Sequence, residues 1–355
     1  MIQKGVSKTQ KTCSTDRFTQ LSLMRVIACV GIVVLHTVFA ANEYFAATIS
    51  FTENLVSRMV ENNMMWAVPA FVMVTGVLQL NPNKALSIRK LYGRYVLRIL
   101  IALVCCCLIF RLFDMVMDGE PLTIAGILQA FAELITAKSW GHLWYLYLLI
   151  GLYILLPFYR MIVAHASEKE LIYLCLAYFL FVSIIPMIEG FGLPIGFYIS
   201  ESIIYPLYLF LGYMIFHGIL RISRGTGLAL VVICTLLILG MDVLNYTATL
   251  ELPSELFGYA SPFVILQTVG VFAVICKTKN AEGKRARFLQ TLDECSFGIY
   301  LIHMVFVRTL FRYMEWDPYG AVPFLTLAAA VIGIFLISFA ITWLLKKIPG
   351  VNWVL

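Results

Sequence analysis

The stretch RVIACVGIVVLH, residues 25–36, decides the reading of the whole chain. Ten residues without a charge or a strongly polar side chain separate an arginine from a histidine. The run reads as part of a membrane-crossing helix with an ionisable group at each end. At about 100° per residue, Arg25 and His36 lie about 20° apart around such a helix and ~16 Å apart along it. They share one face. Ionisable groups inside a span are costly and usually face a polar interior or a water-filled cavity. Either group also has a plainer reading: Arg25 snorkelling to headgroups, His36 hydrogen-bonded near the interface.

Outward from this stretch the same composition repeats. The chain of 355 residues is 61% hydrophobic and 13% charged, against roughly a quarter charged in soluble domains. A spanning helix takes ~20 mostly apolar residues. Ten such runs are expected, near 22–40, 64–80, 95–113, 142–162, 171–188, 202–217, 227–244, 258–276, 296–312 and 322–345. The first run has no convincing small-residue cleavage site after it and reads as a retained helix. The fold class is therefore all-α, a polytopic membrane protein of about ten helices. Its organisation is expected as a segment 1–21, a single membrane domain 22–345 and a tail 346–355. The longest connections, 41–63, 114–141 and 277–295, are too short for a separate soluble domain.

Ten spans place both termini on one side. The connections and span ends on that side hold 21 of the 26 basic residues. Arg58, Arg111, Lys138, Arg308 and Arg312 fall on the other, which also carries 14 of the 20 acidic residues. The positive-inside rule then puts the N- and C-termini in the cytoplasm. The net charge of +6 is a topology signal. No basic stretch interleaved with aromatics suggests nucleic acid. The nine cysteines show no CxxC spacing and read as small packing residues. No cluster of His, Cys and Asp has metal-ligand spacing, so no metal is expected.

Several stretches together resemble a known family. Arg25, ten residues and His36 are similar to the R-x10-H signature of the acyltransferase type 3 family of integral membrane acyltransferases. VPAFVMVTGVLQL (68–80) resembles the family's second span and RKLYGRYVLRIL (89–100) its basic inner loop. GHLWYLYLLIGLYILLPFYR (141–160) resembles the His-Leu-Trp segment of members that acetylate surface glycans. SFGIYLIH (296–303) resembles the penultimate-span motif. Where family members carry the first arginine of an R-x-x-R pair in the inner loop, this chain has Tyr95, with Arg94 one position early and Arg98 in register.

The resemblance implies transfer of an acyl group, usually acetyl, from cytoplasmic acyl-CoA to a hydroxyl of a cell-surface or lipid-linked glycan, in a cell membrane. Acetyl-CoA would be a co-substrate, with no tightly bound cofactor. Arg25, Arg94 and Arg98 are the candidate donor-binding cations, since guanidinium groups pair with phosphates; contact with anionic membrane lipids is the alternative use of the same loop. A sugar hydroxyl needs a base to attack a thioester, and an imidazole suits that task near neutral pH. His36 is the candidate base. His142, Trp144 and Tyr145 are candidate acceptor-side groups, or members of an interfacial aromatic belt. His303 either lines the passage or is a structural histidine. A transporter or exporter of a small molecule or glycan precursor is the competing function, since ten spans around a polar path also suit passage.

Overall fold

In a computed structural model the backbone is described for residues 8–197, 203–247, 252–320 and 322–355, with side chains from Thr19 onward. The start of the expected segment 1–21 and the first residue of the expected span 202–217 lie outside the described residues. Among the described residues every regular element is helical. Seven helices are long and apolar enough to cross a membrane: α1 (Lys8–Tyr44, of which Thr19–Tyr44 is the apolar part), α4 (Ile88–Met117), α6 (Gly141–His165), α7 (Glu168–Gly190), α9 (Arg224–Thr247), α11 (Gly283–Tyr313) and α12 (Pro323–Leu345). The shorter helices are α2 (Phe51–Asn63), α3 (Ala67–Gln79), α5 (Ile124–Thr136), α8 (Tyr205–His217), α10 (Pro262–Cys276) and α13 (Val351–Val354).

Each of the ten expected runs contains a helix, but in three of them the helix, α3, α8 or α10, has only 13, 13 or 15 residues. Such a helix is about 20 Å long, against a hydrocarbon core of about 30 Å. The hydropathy of 64–80 and 258–276 includes Met64–Trp66 and Gly258–Ala260, which are turns. Apolar composition extends those runs past the end of their backbone hydrogen bonding. Two expected connections contain helices of their own. Segment 114–141 holds α5, opened by Thr123, whose hydroxyl accepts from Gly126 N, and closed by Ala137 in a left-handed conformation. Segment 41–63 holds α2.

The chain forms two compact units. One comprises Met1–Leu35, Asn54–Leu78 and Ser167–Ser296. Its core is α8, where every residue from Tyr205 to Ile215 is buried. A helix that is apolar all round suits either the protein interior or lipid, and α8 takes the interior. Its crossing with α3 is made at glycines. A Cβ on Gly76 would stand 2.1 Å from Leu209 O, and one on Gly212 would stand 2.2 Å from Met73 O. Backbone meets backbone there, as small residues allow between membrane helices. At the α9–α10 contact Gly227 and Gly270 do the same.

The other unit comprises His36–Glu53, Gln79–Ala166 and Phe297–Leu355. Its helix α12 buries one stripe, Leu327, Ala330, Ile334, Ser338 and Thr342, at the three- and four-residue spacing of a single helix face. Thr342 packs on Gly298, where a Cβ would come within 2.3 Å of Thr342 Cγ2. Tyr300, His303, Val307 and Phe311 of α11 recur at the same spacing, and all are buried. That periodicity delivers His303 to the interior of the unit.

Candidate functional site

Three histidines converge in the second unit. His36 comes from α1, His142 from the tight turn Gly141–Leu143 that opens α6, and His303 from α11. His303 Nδ1 lies 2.7 Å from Tyr300 O and 3.1 Å from Ile299 O. Carbonyls only accept, so Nδ1 carries the proton and donates to them. In the neutral ring Nε2 is then an acceptor. It faces His36 Nδ1 at 2.8 Å, with the two rings 12° from parallel. His36 Nδ1 is therefore the donor of that bond, and the lone pair of His36 sits on Nε2. His303 is fully buried while His36 is half-buried. The arrangement fixes one tautomer of His36 and leaves its lone pair on Nε2, the nitrogen that His303 does not engage.

His142 stands edge-on to both rings, with centroids 6.2 Å from His36 and 5.6 Å from His303. Its Nε2 donates to Leu301 O at 3.3 Å. The Tyr300 hydroxyl donates to the His142 carbonyl and so ties the start of α6 to α11. Trp144 is half-buried, and Tyr145 is buried against the Tyr300 ring at 5.7 Å. Behind His142 lies a packed stack. Phe110 meets His142 at 5.6 Å and stacks on Trp140 at 4.1 Å, and Arg308 lies 4.2 Å over the Trp140 ring. Asp114 anchors that stack. It accepts from Arg308 Nη1 at 2.8 Å on both oxygens, from Trp140 Nε1 at 2.7 Å and from the Tyr313 hydroxyl at 3.0 Å.

Arg25 lies in the first unit. Its Nη2 pairs with Asp293 Oδ2 of α11 at 2.5 Å, and the Ser22 hydroxyl donates to the same oxygen at 2.6 Å. Asp293 is 6% exposed and Arg25 34%. Arg94 is exposed, on the π-helical turn Leu91–Val96 within α4. Arg98 donates from Nε to Val354 O at 3.0 Å and from Nη2 to Leu355 O at 2.8 Å, which holds α13 against α4. It also lies 5.3 Å over the Phe297 ring.

The structure thus joins three of the expected site residues, His36, His142 and His303, and adds Tyr300, Trp140, Asp114 and Arg308 beside them. It also gives Arg25 a partner, Asp293. A weak sequence signal existed for the two acids. Asp114 stands near the end of an apolar span, where an ionisable group needs a reason. Asp293 precedes His303 by ten residues, as Arg25 precedes His36 by eleven. Among the described residues no three His, Cys, Asp or Glu side chains are placed to hold a metal ion.

No curated protein and no solved structure matches the chain. The family model Acyl_transf_3, an acyltransferase domain, matches residues 18–343, which include every site residue named above except Val354 and Leu355. The chain belongs to this acyltransferase family.

Proposed function

We propose that the protein transfers an acetyl group from cytoplasmic acetyl-CoA to a hydroxyl of a cell-surface or lipid-linked glycan, with His36 as general base. The observation that carries this reading is the 2.8 Å contact between His36 Nδ1 and His303 Nε2, with His303 Nδ1 held by two carbonyls. The acceptor hydroxyl gives its proton to His36 Nε2 as its oxygen attacks the thioester carbonyl. The tetrahedral intermediate then collapses, the carbon–sulfur bond breaks, and the departing thiolate takes the proton from His36. His303 accepts from His36 Nδ1–H throughout and stabilises the imidazolium, as the orienting member of a triad does. General base catalysis of this kind contributes typically ~10²–10⁴-fold.

Arg25, Arg94 and Arg98 are read as the cations for the polyanionic donor. Arg94 lies in an exposed basic segment with Arg89 and Lys90. His142, Trp144 and Tyr145 are read as the acceptor side. The topology that suits these roles is ten spans in a cell membrane with both termini cytoplasmic. Seven helices are long and apolar enough to cross a membrane; we read the shorter α3, α8 and α10 as the other three, and the distribution of basic residues supports that reading.

The test is acetyl transfer by purified full-length protein in lipid nanodiscs, with radiolabelled acetyl-CoA and a panel of methyl glycosides and lipid-linked glycans. Label should enter a glycan with the wild type and be lost in His36→Ala at equal folded yield. Folded wild type that moves no label to any acceptor overturns the reading. Turnover that survives His36→Ala overturns the assignment of the base.

A further inference from the structure

His142 is held with one nitrogen satisfied and one not. Nε2 faces Leu301 O, which only accepts, so Nε2 carries the proton. Nδ1 of the neutral ring is then a lone-pair acceptor. It is buried, and among the described residues it has no hydrogen-bond partner. The residue as a whole is 4% exposed. A buried acceptor without a donor keeps its desolvation cost, and packing against Phe110, Tyr300 and the two other imidazoles holds it in place. The same tautomer rules out a role as oxyanion donor for the neutral ring. What His142 Nδ1 lacks is a hydroxyl or amide donor, and it lacks it 6.2 Å, ring centre to ring centre, from the candidate base.

We infer that His142 Nδ1 accepts a hydrogen bond from a second hydroxyl of the acceptor, next to the one that is acylated. The site therefore selects a vicinal diol over an isolated hydroxyl. Two hydroxyls on adjacent carbons, each ~2.8 Å from its acceptor nitrogen, bridge nitrogens several ångströms apart. One hydroxyl meets His36 Nε2 and the other His142 Nδ1. Binding the pair satisfies the orphan nitrogen and orients the nucleophile, whereas an acceptor without the second hydroxyl leaves the nitrogen unpaired. Sites built to bond a hydroxyl reject the analogue that lacks it far more strongly than apolar pockets reject a missing methylene. This inference rests on the acyltransfer reading given above.

The experiment uses full-length protein in nanodiscs, acetyl-CoA, and methyl hexosides each paired with its monodeoxy analogues. With the best acceptor, removing the hydroxyl next to the acetylated one should lower kcat/KM by on the order of 100-fold or more. His142→Ala should shrink that ratio below about tenfold, mainly by slowing the diol. His142→Asn keeps one donor and one acceptor, guards against a folding defect, and should restore part of the discrimination. Equal use of diol and deoxy acceptor by the wild type, or an unchanged ratio in His142→Ala and His142→Asn, overturns the inference while leaving acyltransfer standing. Folded wild type that acetylates no member of the panel, lipid-linked glycans included, removes the reading beneath it as well.

Discussion

Arg25 and Asp293 form an ion pair at 2.5 Å, and the helices that carry them carry a second pair further on, His36 with His303. The R-x10-H spacing of α1 is thus answered on α11 by an aspartate and a histidine ten residues apart. The carboxylate of Asp293 is almost wholly buried and takes its hydrogen bonds from Arg25 and Ser22 on one oxygen. Whatever else Arg25 binds, it first neutralises a buried acid.

Removing one partner of that pair leaves the other exposed to the cost of an uncompensated charge. Arg25→Ala should destabilise the folded protein by roughly 2–4 kcal/mol, the lower end reflecting the partial exposure of the arginine. Asp293→Asn, which keeps a polar partner for Ser22 and removes the charge, should cost less than Arg25→Ala. The swap Arg25→Asp with Asp293→Arg should recover part of the loss. Thermal melting in detergent reads all of these. Equal melting temperatures for wild type and Arg25→Ala would contradict the account.

The helix positions were legible in the sequence because lipid-facing and interior helices are apolar for different reasons yet equally so. Length was less legible, since hydropathy reads composition and cannot see where α3 and α10 stop hydrogen-bonding. Of the site, His36 and Arg25 stood out by spacing on one helix. His303 is legible through the resemblance of SFGIYLIH to the penultimate-span motif. Its pairing with His36, and Asp293 as the partner of Arg25, are not, because the partners lie 267 and 268 residues apart along the chain and no local pattern links them. His142 is legible through the resemblance of residues 141–160 to the His-Leu-Trp segment and as a polar residue at the head of an apolar run. Its tautomer depends on Leu301, which the sequence does not bring near it.

The α3–α8 crossing predicts a sharp contrast between two chemically identical changes. Gly76→Ala places a Cβ against the backbone carbonyl of Leu209, with no side chain able to yield. It should lower the yield of folded protein or the melting temperature by many degrees. Gly240→Ala on α9 meets open space and should be neutral, or stabilising by up to about 1 kcal/mol through helix propensity. Similar behaviour of the two variants would contradict the close crossing.

Around Asp114 the expectation is graded. Trp140→Phe deletes the indole N–H to Asp114 and preserves the ring stack on Phe110. It should cost about 1.5–3 kcal/mol, the value of one hydrogen bond to a charged group. Asp114→Ala also strips Arg308 and Tyr313 of their acceptor and should cost about 3 kcal/mol or more. Denaturation followed by intrinsic tryptophan fluorescence, or by melting for the Trp140 variant, ranks them. The reverse order would remove Asp114 as the anchor of the stack.

The most direct test of the central claim is a double-mutant cycle on the two histidines. Acetyl transfer would be measured for wild type, His36→Ala, His303→Ala and the double variant, all at matched folded yield. Residues that act as one unit are non-additive in rate. The account predicts that each single change lowers kcat by roughly 10²–10⁴-fold and that the double variant is no slower than His36→Ala. Wild-type turnover in His303→Ala, or losses that simply multiply in the double variant, would contradict the pairing of His36 with His303 as the catalytic base.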